Sequence, residues 1–143
     1  PAFHDADKLL EQVAPGIVAS DQLNTIGVAI QHQVHASPTI ERYVLALWQA
    51  TEDPARFGIK IDGVNMDKLI LAGASPRGMS ALMRAARVTA WLAERTHVEP
   101  PDIHAVLGPA LGHRIFFTPI YELRRAALAE VLVAQIMDRV ASP

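Results

Sequence analysis

Apolar positions in this chain recur in steps of three and four almost from end to end, the period of helices packed on one side. Leu23, Ile26, Ile30 and Val34 make the first stripe, with Ser20 placed to cap it. Ser37-Pro38 starts a second helix whose Ile40, Tyr43, Val44 and Leu47 share a face, and Asp53-Pro54 closes it. Residues 54–65 contain Pro and two Gly and read as a loop. "MDKLIL" (66–71) fits either a helical turn or a short extended piece. A third helix, from Pro76 to about Arg95, sets Met79, Leu82, Met83, Ala86, Ala90 and Ala93 on one face. Arg77, Ser80, Arg84 and Arg87 gather on the other. Pro100-Pro101-Asp102 opens a shorter helix carrying Ile103, Val106 and Leu107, which Gly108-Pro109 is expected to interrupt and Gly112 to end. "RIFF" (114–117) has strand-like composition and no evident pairing partner. The last helix runs from about 122 to 140, with Leu128, Leu132, Ile136 and Val140 at four-residue steps. The expected fold is an all-α bundle of about five to six helices. It forms a single domain over residues 1–143, with 1–19 as a lead-in and 20–140 as the bundle.

Composition narrows the function classes. The chain has 143 residues, half of them hydrophobic and a fifth charged, which suits one soluble domain with a sizeable core. A net charge of -2 and a pI near 6.3 argue against a nucleic-acid reader, including a helix-turn-helix. The absence of cysteine removes disulfides, thiolate catalysis and zinc-thiolate sites together. No apolar run approaches a membrane span, and "PAFHDADK" lacks the basic start and apolar centre of a signal peptide. A cytoplasmic setting is expected. A first residue of Pro1 rather than Met hints at a piece of something longer.

The search for a self-contained active site finds little. There is no Gly-x-x-x-x-Gly-Lys-Ser/Thr loop to cradle a nucleotide triphosphate and no Gly-x-Ser-x-Gly elbow. His32-x-x-His35 places two imidazoles one turn apart, but nothing nominates a third ligand, so no metal site is expected. His97, His104 and His113 default to structural or surface roles, and Trp48 and Trp91 to packing in or near the core.

The arginine face is the remaining lead. In "GASPRGMSALMRAAR" (73–87), Ser75 reads as an N-cap and Pro76 as the first helical residue. Arg77 is the mismatch, because helix N-termini favour acids. A guanidinium beside the open N–H groups of a first turn is, however, a receptor for an anion such as phosphate. Arg84 and Arg87, further along the same face, suit an acidic neighbouring surface.

"GASPRG" with its amphipathic helix, then "ERTHVEPPDI", then "LGHRI", resembles the C-terminal portion of MoxR-type AAA+ ATPases. That family carries Gly-Ala-Ser-Pro-Arg, a helix, a Gly-Arg-x-Tyr-Val-x-Pro-x-Asp-Val-like segment and a Leu-x-His-Arg. Upstream, "YVLALWQATEDP" resembles the family's Tyr-Ile-Val-x-Leu-Val-x-Ala-Thr-Arg. The likeness runs from about Leu9 to Val140. It implies an isolated helical lid, since the family's Walker loops, first sensor and arginine finger belong to an N-terminal α/β core that this chain lacks.

By the same resemblance, Arg77 is the second sensor, reaching the γ-phosphate of ATP bound with Mg2+ between core and lid, and Ser75 and Pro76 belong to the same site. The chain alone should not hydrolyse ATP. The implied partners are its own AAA+ core, neighbouring ring subunits, and in a chaperone-like role a protein with a von Willebrand factor A domain. Glu52 stands where the family often has arginine, Gly78 where alanine is usual, and "ERTHV" lacks the family's Gly-Arg and Tyr. No role is assigned to His113 and Arg114 beyond anchoring or a subunit contact. The alternative is a free-standing helical interaction domain in which Ser-Pro-Arg is only a helix start.

Overall fold

The computed structural model describes residues 18–143, so most of the expected lead-in, including Leu9 where the family likeness starts, lies outside the described residues. Six α-helices are present among those described: α1 (Gln22–Gln33), α2 (Pro38–Glu52), α3 (Pro76–Leu92), α4 (Pro100–Leu111), α5 (Pro119–Glu122) and α6 (Arg125–Arg139). The expectation of an all-α bundle holds. None of these helices is long and apolar enough to cross a membrane.

The expected stripes become the core. Leu47 of α2, Leu82 of α3, Ile103, Leu107 and Leu111 of α4, and Leu132 and Ile136 of α6 are all buried together. α3 and α4 form a tight antiparallel hairpin, with the Leu111 side chain near the end of α4 packing beside Gly78 at the start of α3. Small buried residues on α3, Gly78, Ala86 and Ala90, let the two axes approach closely.

Several expectations change in detail. α1 starts at Gln22 after Asp21 rather than from Ser20, and Leu23 is exposed; only the later half of the stripe, Ile30 and Val34, is buried. "PARF" (54–57) is a 3-10 turn inside the expected loop. "MDKLIL" resolves into both alternatives, a 3-10 turn at Met66–Lys68 and strand β1 at Ile70–Ala72. The partner that "RIFF" lacked in sequence is β1: strand β2 (Phe116–Phe117) pairs with it antiparallel, Ile70 opposite Phe117. Gly108-Pro109 does not interrupt α4, which continues to Leu111. The last helix, expected from about 122, is α6 from Arg125, and the short α5 precedes it. Trp91 is 43% exposed rather than core, since it sits one position past the buried Ala90 on a helix that turns about 100° per residue.

The hinge between α3 and α4 explains the family-like "ERTHVEPPDI". Glu94 N–H bonds to Trp91 C=O and Arg95 N–H to Ala90 C=O, both at 2.9 Å, which is the Schellman closure. Glu94 accordingly takes a left-handed conformation, φ 58°, where the family's glycine would sit without strain. The expectation that "ERTHV" lacks the family's Gly-Arg is corrected for its second residue: only the glycine is replaced, and Arg95 stands at the arginine's place and is employed. Its guanidinium forks onto the buried Asp102 carboxylate at 2.7 and 2.6 Å, and Asp102 also accepts the Glu99 N–H at 2.9 Å. Burial alone would raise the Asp102 pKa. The Arg95 and Glu99 hydrogen bonds and the Arg95 charge outweigh it and hold the carboxyl below its usual range.

Candidate functional site

The segment before α3 is fastened to the end of α2. Gly73 is buried so close to α2 that a Cβ there would lie 2.8 Å from the Glu52 backbone N and Cα. Ala74 follows, fully buried, with both its backbone groups held by α2 side chains. Its N–H donates to Thr51 Oγ1 at 3.0 Å, and its carbonyl accepts from Trp48 Nε1. Thr51 in turn donates to the Trp48 carbonyl at 2.7 Å. The "QAT" and "GAS" segments are therefore one physical unit, joined at positions distant in sequence. Its product is a helix start, Ser75-Pro76-Arg77, rigidly tied to the core.

At that start the side chains are free. Ser75 occupies the N-cap position in extended conformation, yet its hydroxyl makes no cap hydrogen bond. The first-turn amides are less open than sequence implied: Gly78 and Met79 N–H both bond to the Ser75 carbonyl, at 2.7 and 3.3 Å. Pro76 has no N–H, which leaves the Arg77 amide. Arg77 is exposed, and its guanidinium has neither an ion pair nor a hydrogen bond among the described residues. With Pro76, Ser80, Ala81 and Arg84 it lines a shallow depression of about 380 Å³. An anion seated there would meet the guanidinium groups of Arg77 and Arg84, with the Ser80 hydroxyl already donating to the Pro76 carbonyl, so the side chains contribute more than the helix terminus does.

Further along, α1 lies against the same arginine face. Gln31 donates through Nε2 to the Arg84 carbonyl at 3.2 Å and accepts at Oε1 from Arg87 Nη1 at 3.4 Å. Beyond α1, His35 exchanges backbone bonds with Thr96 and Val98, just past the end of α3. α1 thus runs alongside α3 in the same direction, and its N-terminal end lies toward Arg77. Arg87 is half-buried, and its Nε is buried without a partner among the described residues. A desolvated donor left without an acceptor costs on the order of 1–3 kcal/mol.

Other candidates have structural work. Tyr43 Oη and His104 Nε2 meet at 2.6 Å between α2 and α4. His113 Nδ1 reaches the Pro109 carbonyl at 3.0 Å, and Arg114 Nε donates to the Ala110 carbonyl at 3.1 Å. Together they satisfy the last carbonyls of α4, so "HR" is an anchor. Arg114 also packs over Gly78, where a Cβ would come within 3.1 Å of its Cδ. His32 lies on α1 and His35 beyond its end, bridged to His97, so the two do not share a helix face; no group of three metal-binding side chains occurs among the described residues. Sequence reasoning missed Trp48 and Thr51 as positioning residues, although both fall in the segment whose family likeness was noted.

Comparison with known proteins identifies the family of the fold. The AAA lid domain model matches residues 65–136, from the 3-10 turn at Met66–Lys68 through most of α6. Protein MoxR of Methylorubrum extorquens is 45% identical over the whole chain, which spans 42% of that relative's length. Chaperone MoxR1 of Mycobacterium tuberculosis is 27% identical over 86% of the chain and 31% of its own length. A Cytophaga hutchinsonii crystal structure, of a protein assigned as an ATPase, superposes with a TM-score of 0.71 at 29% identity, covering 80% of this chain and 33% of that one. The chain belongs to the AAA lid domain family, as a C-terminal helical lid of the MoxR type.

Proposed function

We propose that the chain acts as the phosphate-sensing lid of a MoxR-like AAA+ ATPase, with Arg77 as the sensing residue. The observation that carries this reading is an exposed guanidinium without a protein partner among the described residues, on a helix start clamped to the core. ATP with Mg2+ would supply the transferable γ-phosphoryl group, whose departure builds negative charge on its oxygens. Arg77 donates to one of those oxygens, with the Ser75 hydroxyl and the Arg77 amide beside it and Pro76 setting the helix start. Because Gly73 and Ala74 tie that helix start to α2, a pull on Arg77 moves the bundle as a body. Loss of the contact after hydrolysis frees the lid to rotate about the chain entering it. The N-terminal end of α1, by which an upstream core would connect, lies at the same end as Arg77.

Arg84 and Arg87 are assigned to protein contacts. Within the same reading the lid works in a cytoplasmic ring, against its own core and its neighbours. Hydrolysis is coupled to chaperone-like remodelling of a partner such as a von Willebrand factor A-domain protein. The chaperone name of the Mycobacterium tuberculosis relative supports that role.

The test is ATP turnover and ATP affinity of the longer protein this reading implies, with and without Arg77→Ala. Turnover should fall by about 100-fold or more while the fold is retained. Unchanged turnover and affinity would make Ser-Pro-Arg a helix start only and favour the free-standing interaction domain.

A further inference from the structure

A second depression lies beside the first, between α2 and α3. It is a groove of about 350 Å³ with Val44, Met79 and Met83 as its apolar lining, Arg84 and Arg87 on the α3 side and Glu41 on the α2 side. The ion pairs of the described residues involve Arg95, His97, Arg125 and Arg139 and none of the α3 arginines. Arg84 has no side-chain hydrogen bond among those residues, and Arg87 has one long bond to Gln31. Two unneutralised guanidinium groups facing one carboxylate across an apolar floor leave the groove net positive. Methionines make such a floor adaptable to more than one apolar side chain.

We infer that this groove docks an acidic segment of a partner protein that carries apolar side chains between its carboxylates. The carboxylates face α3, where each guanidinium offers a fork of donors. The apolar side chains seat on the partly exposed Met79 and Met83 above the buried Val44, and Glu41 repels acid from the α2 side, which fixes the orientation. This deepens the assignment of Arg84 and Arg87 to protein contacts and rests on it; it does not depend on phosphate sensing at Arg77.

The probe is a fluorescein-labelled peptide alternating glutamate and leucine, titrated with the 143-residue chain and followed by fluorescence anisotropy. Saturable binding with Kd on the order of 10 μM at low salt is expected. Arg84→Ala, at an exposed side chain that leaves the fold intact by circular dichroism, should weaken it about tenfold, and Arg87→Lys about threefold by losing the planar fork. Glu41→Gln should tighten it about threefold by removing the like charge. Arg77→Ala should leave it unchanged.

A peptide with serine in place of leucine that binds as tightly would overturn the groove while leaving Arg84 and Arg87 as plain contacts for an acidic surface. Indifference to Arg84→Ala would sink both the groove and that assignment. Equal competition by inorganic phosphate or duplex DNA would reduce the site to an undifferentiated anion patch.

Discussion

Two helices in this bundle begin with the same pair of residues, Ser37-Pro38 and Ser75-Pro76, and the structure uses them differently. Ser37 accepts the Ile40 N–H through its hydroxyl at 3.2 Å, and Glu41 follows in the first turn, where an acid complements the helix dipole. Ser75 makes no such bond, and the first turn of α3 carries Arg77 and no acid. The first start is stabilised locally, by its own cap and charge. The second is held from behind, by Gly73 pressed on Glu52 and by Ala74 bonded to Thr51 and Trp48. Moving the support behind the helix leaves the hydroxyl, the amide and the guanidinium in front of it unspent. That division of labour suits the ligand-facing role proposed for Arg77, and the dipeptide alone does not reveal it.

The comparison can be broken most severely from behind. Gly73→Ala drives a methyl into the Glu52 backbone and should destabilise the chain by about 3 kcal/mol, lowering Tm in calorimetry by about 10 °C. Thr51→Val strips the acceptor from the buried Ala74 N–H and should cost about 2 kcal/mol by urea unfolding, with the slope of the transition unchanged.

The contrast itself is sharpened by a matched pair of variants. Ser37→Ala should cost about 1 kcal/mol, whereas Ser75→Ala should cost no more than about 0.3 kcal/mol, because only the first hydroxyl caps. Equal losses would show that Ser75 caps its helix in solution and that its hydroxyl is not free. The smallest effect belongs to the far end of α3 and has the opposite sign. Glu94→Gly should stabilise by about 0.7 kcal/mol in the same unfolding assay, since the residue already sits at φ 58° in a Schellman turn.

Periodicity made most of the helices legible because a helix buried on one side must repeat its apolar residues every three to four positions, as Leu128, Leu132 and Ile136 do. It could not show that Phe117 pairs with Ile70, since a strand partner 47 positions away leaves no mark in local spacing. The Pro109 expectation failed for a related reason. Proline forfeits one local hydrogen bond, but Ile103, Leu107 and Leu111 bury a continuous face on both sides of it, and packing prevails. Arg77 was legible from its mismatch with the helix dipole. Trp48 and Thr51 were not, because their contribution consists of contacts with Ala74, 26 and 23 positions on.

Sequence by itself therefore determined the class of fold, the main apolar faces, the family and the residue that faces outward at the start of α3. Those properties are written in local spacing and in a short run of residue types, and local sterics and burial suffice to enforce them. Tertiary structure alone decided that the "GAS" segment is clamped to α2, that Ser75 is left uncapped, that His113 and Arg114 close α4, and that Arg84 and Arg87 share a groove with Glu41. Each of these depends on distances between residues far apart in the chain. A backbone approach of 2.8 Å or an unpaired guanidinium exists only once the helices have packed.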